Sequence, residues 1–100
     1  MKDIDFIRKN LSEEDLLNQL AEEAAELAQA ALKLNRAIKG SNPTPVSVDE
    51  ARNRLLEEIA DVDLCQWALS LFNAKNSKII NDTINRKMKR WAERLKGDKP

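Results

Sequence analysis

The chain has 100 residues, of which 42% are hydrophobic and 34% are charged; this composition predicts one folded domain spanning residues 1–100 and excludes an intrinsically disordered chain. Glycine and proline are scarce while Ala, Leu, Glu and Lys dominate, so we expect an all-α fold. The formal net charge of zero argues against nonspecific binding to a nucleic acid polymer, because such binding needs a surplus of Lys and Arg.

The cysteine content and the length of the apolar stretches indicate the cellular compartment in which the protein is expected. The single cysteine, Cys65, has no second cysteine with which to form an internal disulfide. We find neither a charged-then-apolar leader nor a stretch of about 18 apolar residues. The expected compartment is therefore the cytoplasm, with no membrane association.

Two helices are predicted in the first forty residues. The first is short and covers roughly Lys2–Asn10. Ser12, three residues before Asp15, is typical of a helix N-terminal cap, and a helix of about 25 residues should follow and run to Ile38, just before Gly40. Its apolar stripe, spaced by three and four residues, consists of Leu16, Leu20, Ala24, Leu27, Ala31 and Leu34.

A loop should separate these helices from a third one. The segment Gly40–Ser47 contains two prolines and several turn-forming residues, and Ser47 or Asp49 is suited to cap the next helix. That helix is predicted over Val48–Phe72. Apolar residues occupy nearly every direction around it, which indicates a buried helix.

A fourth helix is predicted at the end of the chain. Asn73–Ser77 interrupts the apolar pattern, and the helix should end near Gly97. Its apolar stripe consists of Ile80, Ile84, Met88, Trp91 and Leu95. The predicted architecture is therefore a bundle of about four helices.

Acidic residues lie three apart at the edge of the second helix's apolar stripe. Glu23 and Glu26 share one side of that helix because residues at this spacing lie about 60° apart. Glu22 points further outward and is the more solvated of the three.

The third helix repeats this spacing with Glu58 and Asp61. The sector between them is filled by Cys65 and Phe72, so we expect both carboxylates to be at least partly buried. Buried carboxylates that lie close together repel one another unless a positive charge compensates them.

A divalent cation would supply that charge. Mg²⁺ and Mn²⁺ prefer oxygen ligands, and the chain contains no histidine that would favour zinc. The alternative is a solvated acidic face whose members pair with Lys and Arg. Spacing alone does not decide between the two.

The segments LAEEAAELAQAAL (20–32) and LLEEIADVD (55–63) resemble the paired EExxE and ExxD motifs of the MazG-type, all-α nucleoside triphosphate pyrophosphohydrolases. The segment KMKRWAERL (87–95) is similar to a basic segment of small phage and bacterial members. This resemblance implies Mg²⁺-dependent hydrolysis of a nucleoside triphosphate, often a deoxynucleotide or a non-standard one, to the monophosphate and pyrophosphate.

Residue roles follow from the same resemblance. It implies metal ligands at Glu23, Glu26, Glu58 and Asp61, with Glu22 as the leading acid of the first motif. Mn²⁺ is a possible substitute for Mg²⁺. One of Glu22, Glu23 and Glu26 would position or deprotonate the attacking water, and the sequence does not tell which.

Basic and aromatic residues extend the candidate site. Lys87, Arg90 and Arg94 share one side of the last helix and are suited to bind substrate phosphates; the alternative is a solubilising face. Trp67 is a candidate contact for the base, although Trp67 and Trp91 are more typical of core positions. Cys65 is expected to be a small buried residue without chemistry, because no histidine is present to activate it.

The amount of apolar helix surface predicts association into a homo-oligomer. The family resemblance implies a homodimer or homotetramer with active sites near subunit interfaces. Two other functions remain open at this stage: a non-catalytic helical interaction or assembly module, and an inactive family member.

Overall fold

A computed structural model of the protein describes residues 2–40 and 46–97. Within those ranges the chain forms four helices and no strand, which confirms the all-α prediction. Most of the predicted loop between the second and third helices lies outside the described residues. The chain divides into two compact units, the first ending at Ser70 and the second beginning at Leu71. The helices are α1 (Lys2–Asn10), α2 (Glu13–Lys39), α3 (Val48–Ala68) and α4 (Ala74–Gly97).

Both ends of α2 agree with the prediction. The Ser12 hydroxyl accepts a hydrogen bond from the Asp15 N–H at 3.0 Å, and the Asp15 carboxylate accepts one from the Ser12 N–H at 3.2 Å. This reciprocal pair provides acceptors for two backbone N–H groups that have no acceptor within the helix. Gly40 ends the helix with a φ of 73°, a left-handed conformation that glycine adopts without a steric penalty.

The predicted start of α3 is correct and its predicted end is wrong. The Ser47 hydroxyl caps the helix by accepting a hydrogen bond from the Glu50 N–H at 3.0 Å. The helix ends at Ala68 and not at Phe72, because Ser70 adopts a φ of 59° that cannot continue a right-handed helix. Phe72 therefore does not lie on α3, and the helix periodicity that placed it between Glu58 and Asp61 does not apply to it.

Helix α1 packs against the C-terminal end of α3. The Arg8 guanidinium donates hydrogen bonds to the carbonyl oxygens of Trp67 and Ala68 at the end of the helix, where the regular donors four residues later are missing. The Trp67 carbonyl also accepts a hydrogen bond from the Ser70 N–H at 2.9 Å. Ile4 packs with Leu16 and Ala68 in a small apolar core directly beside this contact. The N-terminal helix thus holds the end of α3 against the start of α2.

The longer contact in the first unit runs between α2 and α3, and it buries one face of each helix. On α2 this face includes Ala30 and Leu34. The buried residues of α3 are Ala51, Glu58, Cys65 and Ala68. The prediction that α3 is buried on all sides is wrong: because its partners in the unit cover one face, Leu56 and Trp67 stay 58% and 47% exposed.

Helix α4 begins earlier than predicted. Asn73–Ser77 was expected to be a break, but the Asn73 side chain accepts a hydrogen bond from the Asn76 N–H at 2.8 Å and caps a helix that starts at Ala74. The end at Gly97 agrees with the prediction. The helix contains no buried residue, and the members of its predicted apolar stripe are 39–63% exposed. No helix in the described ranges combines the length and the apolar character that a membrane span requires.

Candidate metal centre

Three predicted ligands meet where α2 and α3 pack together. One carboxylate oxygen from each of Glu23, Glu26 and Glu58 lies within 4.8 Å of the other two. The two α2 residues share a side because they are three positions apart, and the packing of the two helices brings Glu58 opposite them. We call these three residues the carboxylate cluster.

Glu58 is the most deeply buried member, at 3% exposure. Its Oε1 atom lies 3.2 Å from Nε of Arg54, one helical turn earlier on α3. Its Oε2 atom is also buried and has no hydrogen-bond partner among the residues that the structure describes. Such an oxygen is costly unless a positive charge or a donor reaches it.

Glu23 has a similar environment. The side-chain amide of Gln19, one turn earlier on α2, donates a hydrogen bond to its Oε1 atom at 2.9 Å. Its Oε2 atom is buried, and within residues 2–40 and 46–97 nothing donates a hydrogen bond to it. Two oxygens of the carboxylate cluster therefore lack a partner.

Burial and mutual repulsion shift the protonation of the cluster. Burial is the main reason that the pKa of Glu58 is raised; the charge of Glu26 raises it further, and Arg54 partly offsets both effects. Burial also leads the rise in the pKa of Glu23, where the hydrogen bond from Gln19 acts in the opposite direction. Protons therefore bind to these two carboxylates more readily than to an ordinary glutamate.

The cluster's chemistry fits a divalent cation. Its donors are all carboxylate oxygens on two facing helices, which is the ligand type that Mg²⁺ and Mn²⁺ prefer. The two unpartnered buried oxygens supply an independent reason, because each of them lacks the donor or positive charge that a buried carboxylate needs.

Asp61, the fourth predicted ligand, and Glu22, the leading acid of the first motif, are not members of the carboxylate cluster. Asp61 was expected to be partly buried, but it is exposed and stands outside the group of three. Its charge still raises the pKa of both Glu23 and Glu58, so it lies close to the cluster. Glu22 is exposed, as predicted.

Cys65 lies beside the cluster. It is 7% exposed, which confirms the prediction of a small buried residue. Burial raises the pKa of its thiol, and the charges of Glu23 and Asp61 raise it further. A thiol kept protonated in this way is a poor nucleophile.

Two cations that the sequence analysis did not select lie beside the carboxylate cluster. An open cleft of about 460 Å³ is lined by Glu26, Gln29, Ala30, Lys33, Arg54 and Glu58; we call it the acidic cleft. Arg54 precedes Glu58 by four residues and Lys33 follows Glu26 by seven, and both intervals return to the same helix face. These spacings are visible in the sequence and could have identified both basic residues as neighbours of the carboxylates.

The predicted phosphate-binding residues lie in the second unit. Lys87, Arg90 and Arg94 are exposed on α4. Trp91, on the same helix, is 63% exposed, so the second unit by itself provides no core around it.

Trp67 is not at the acidic cleft. It was expected in the core but is 47% exposed. It follows Glu58 by nine residues, which on an ideal helix places it on the opposite side and roughly 13 Å further along. It lines a different, mainly apolar cleft of about 660 Å³ together with Ile4, Ile7 and Leu64.

The resemblance to MazG-type enzymes rests on the two acidic motifs and the basic segment, and family membership stays a prediction. No protein-family model, curated protein or solved structure matches the chain.

Proposed function

We propose that the protein is a Mg²⁺-dependent hydrolase that converts a nucleoside triphosphate, of deoxy or non-standard type, to the monophosphate and pyrophosphate. The observation that carries the proposal is Glu58, a buried carboxylate with an unpartnered oxygen in a cluster of three. The cluster borders an open cleft that also contains Lys33 and Arg54. Carboxylates suited to bind a metal ion and basic side chains suited to bind phosphates therefore lie next to one another.

Glu23, Glu26 and Glu58 are the residues that would hold Mg²⁺ or Mn²⁺, and Asp61 adds negative charge from nearby. When bound, such a cation screens the triphosphate and lowers the pKa of a coordinated water. The amide of Gln19 orients Glu23 by holding its Oε1 atom, and the buried Oε2 atom accepts no hydrogen bond from the described residues. Oriented ligands of this kind are what a catalytic site requires.

The reaction needs a water that attacks the α-phosphorus while the bond to the bridging oxygen of the β-phosphate breaks and pyrophosphate leaves. Glu26 is suited to accept the proton of that water, because it is exposed and lines the acidic cleft. Glu23, at least partly buried, is better suited to binding than to proton transfer with solvent. Glu22 is exposed on the solvent side of α2 and contacts neither the cation nor the attacking water in this arrangement.

Lys33 and Arg54 are the cations best placed to bind the phosphates. Both line the acidic cleft, and an arginine can hold two phosphate oxygens at once. Lys87, Arg90 and Arg94 remain proposed as further phosphate ligands, since they lie exposed on a helix that a second copy of the chain can present.

A non-catalytic assembly module is the second candidate function. The exposed apolar side chains of α3 and α4 favour it, because contiguous apolar surface is typical of interaction sites. It does not account for a buried carboxylate with an unpartnered oxygen. An inactive family member is disfavoured because Glu23, Glu26, Glu58 and Asp61 are all present.

Hydrolysis is tested by incubating the protein with standard and modified nucleoside triphosphates and Mg²⁺ or Mn²⁺. We expect monophosphate and pyrophosphate, detected separately by chromatography, and a strong loss of both products in Glu23→Gln. Asp61→Asn removes an exposed charge outside the group of three and should cause a smaller loss. Release of orthophosphate would place the cleavage at another bond. Absence of any product, together with thermal stability that neither metal changes, would overturn the proposal.

Homo-oligomerisation is the second part of the proposal. We expect size-exclusion chromatography with light scattering to give the mass of a dimer or tetramer, because the stripe on α4 is exposed in the single chain and association would cover it. Ile84→Asp, within the stripe, should lower the mass. Asn85→Asp adds the same charge at the next position and should leave it unchanged. A monomer at micromolar concentration would contradict this expectation.

A further inference from the structure

Arg54 connects the carboxylate cluster to solvent through two ion pairs. Its Nε atom lies 3.2 Å from the buried Oε1 of Glu58. Its Nη1 atom lies 3.9 Å from Oε2 of Glu57, whose side chain is 71% exposed. The Arg54 side chain is itself 63% exposed, so it bridges a buried acid and a solvated one.

The charge of Arg54 compensates the cluster only in part. Three carboxylates have oxygens within 4.8 Å of one another, and one guanidinium carries a single positive charge. It contacts Oε1 of Glu58, while Oε2 keeps no partner within the described ranges. Lys33 and Gln29 of α2 line the same cleft, and neither donates a hydrogen bond to that oxygen.

Movement of Arg54 away from Glu58 requires another positive charge at this carboxylate, because Glu58 is buried and a buried charge without a partner is strongly destabilising. The guanidinium itself loses little when it moves, because the Arg54 side chain is 63% exposed and water can solvate it. Glu57 already lies near the guanidinium on its solvent side and provides a second position for it. A divalent cation carries twice the charge and would contact several carboxylates at once, so it should displace the guanidinium from Glu58.

We propose that Arg54 is an exchangeable counter-ion, which neutralises Glu58 while the carboxylate cluster is without a cation and moves toward Glu57 when a divalent cation binds. The inference rests on the metal binding that the proposed function requires. It assigns Arg54 a place in the metal-free protein that the sequence motifs do not indicate. In the metal-free folded protein, the positive charge of Arg54 then reduces the repulsion among the three carboxylates.

Two opposite consequences follow for a variant without this charge. The variant should bind the cation more tightly, since no guanidinium competes for Glu58. It should also be less stable without a cation, since the buried carboxylate then loses the guanidinium that lies 3.2 Å from its Oε1 atom. A purely structural ion pair would produce the second effect without the first.

The test measures Mn²⁺ binding to the full chain by isothermal titration calorimetry, with no nucleotide present. For Arg54→Gln we expect roughly three- to tenfold tighter binding than for wild type, a coupling at the weak end of the usual range. Arg52→Gln removes the same charge from the other side of α3 and should change binding far less. Binding by Arg54→Gln that is equal to or weaker than that of Arg52→Gln would overturn the inference.

Thermal unfolding with and without Mn²⁺ gives a second readout. The melting temperature of Arg54→Gln should lie below that of Arg52→Gln without the cation, and the difference should disappear at saturating Mn²⁺. A difference of the same size under both conditions would mean that the pair is only structural. Arg54→Lys, which keeps the charge and loses the Nε donor, should fall between wild type and Arg54→Gln in both measurements.

The result separates failure of the inference from failure of the proposed function. If wild type binds Mn²⁺ and Arg54→Gln binds it no more tightly, the metal site stands and the exchange is wrong. If wild type and both variants bind no Mn²⁺, the metal site and the exchange are both wrong.

Discussion

Glu58→Gln should reduce nucleotide hydrolysis by roughly 100-fold or more. A catalytic metal contributes several kcal/mol to transition-state stabilisation, and about 1.4 kcal/mol corresponds to a factor of ten in rate. Glu58 is the buried member of the carboxylate cluster, so a water molecule cannot easily replace its carboxylate as a ligand of the cation. The measurement is kcat/KM for the best triphosphate at saturating Mg²⁺, with the fold checked by circular dichroism.

Glu57→Gln is the matched control for this variant. It removes the same charge one residue earlier on α3, from an exposed side chain that lies 3.9 Å from Arg54. We expect a change in kcat/KM of less than about threefold, because exposed charges interact weakly with their surroundings. Equal losses in Glu57→Gln and Glu58→Gln would mean that general electrostatics, and not metal ligation, carries the effect.

The metal-free protein should become more stable as the pH falls from neutral toward 5, the opposite of what paired surface carboxylates produce. The pKa values of Glu23 and Glu58 in the folded chain are raised above the ordinary value of 4.5, mainly by burial. The folded state therefore binds protons more readily than the unfolded state. Their stabilising contribution is complete below the unfolded pKa and is lost as the pH rises through the folded pKa.

Urea unfolding in a metal chelator at a series of pH values measures this contribution. In the double variant Glu23→Gln/Glu58→Gln the rise in unfolding free energy toward pH 5 should be absent, because neither side chain titrates. Glu13→Gln/Glu14→Gln, which removes two exposed acids from the first turn of α2, should keep it. Equal pH dependence in wild type and the cluster variant would contradict the assignment.

A divalent cation should reverse the pH trend in wild type. Protons and Mg²⁺ compete for the same oxygens, so the gain in melting temperature on adding Mg²⁺ should be larger at pH 7.5 than at pH 5. A gain that is independent of pH would place the cation at groups other than Glu23 and Glu58.

Local features of the chain were predictable because they depend on neighbouring residues. The caps at Ser12 and Ser47 need only a hydroxyl and a backbone N–H three positions later. The end of α3 was not predictable in this way: Leu69 and Phe72 continue the apolar pattern, and the left-handed conformation of Ser70 that ends the helix has no glycine to signal it.

The acidic motifs were also visible in the sequence, because helical periodicity determines which side chains share a direction. Helical periodicity puts Glu23 and Glu26 on one side of α2, and Glu58 and Asp61 on one side of α3. It did not distinguish Glu58, which is buried, from Asp61, which is exposed, since a direction on a helix does not say how closely the opposite helix approaches. The tertiary packing of α2 on α3 decided that difference.

The sequence by itself thus determined the all-α class, the helix caps and the acids that share a helix face, because each depends on residues within a few positions of one another. Only the tertiary structure decided that Glu23, Glu26 and Glu58 form one cluster, that Lys33 and Arg54 line the cleft beside it, and that much of α3 stays exposed. Burial and counter-charges depend on which surfaces of distant segments meet, and the periodicity of a single helix contains no information about its partner.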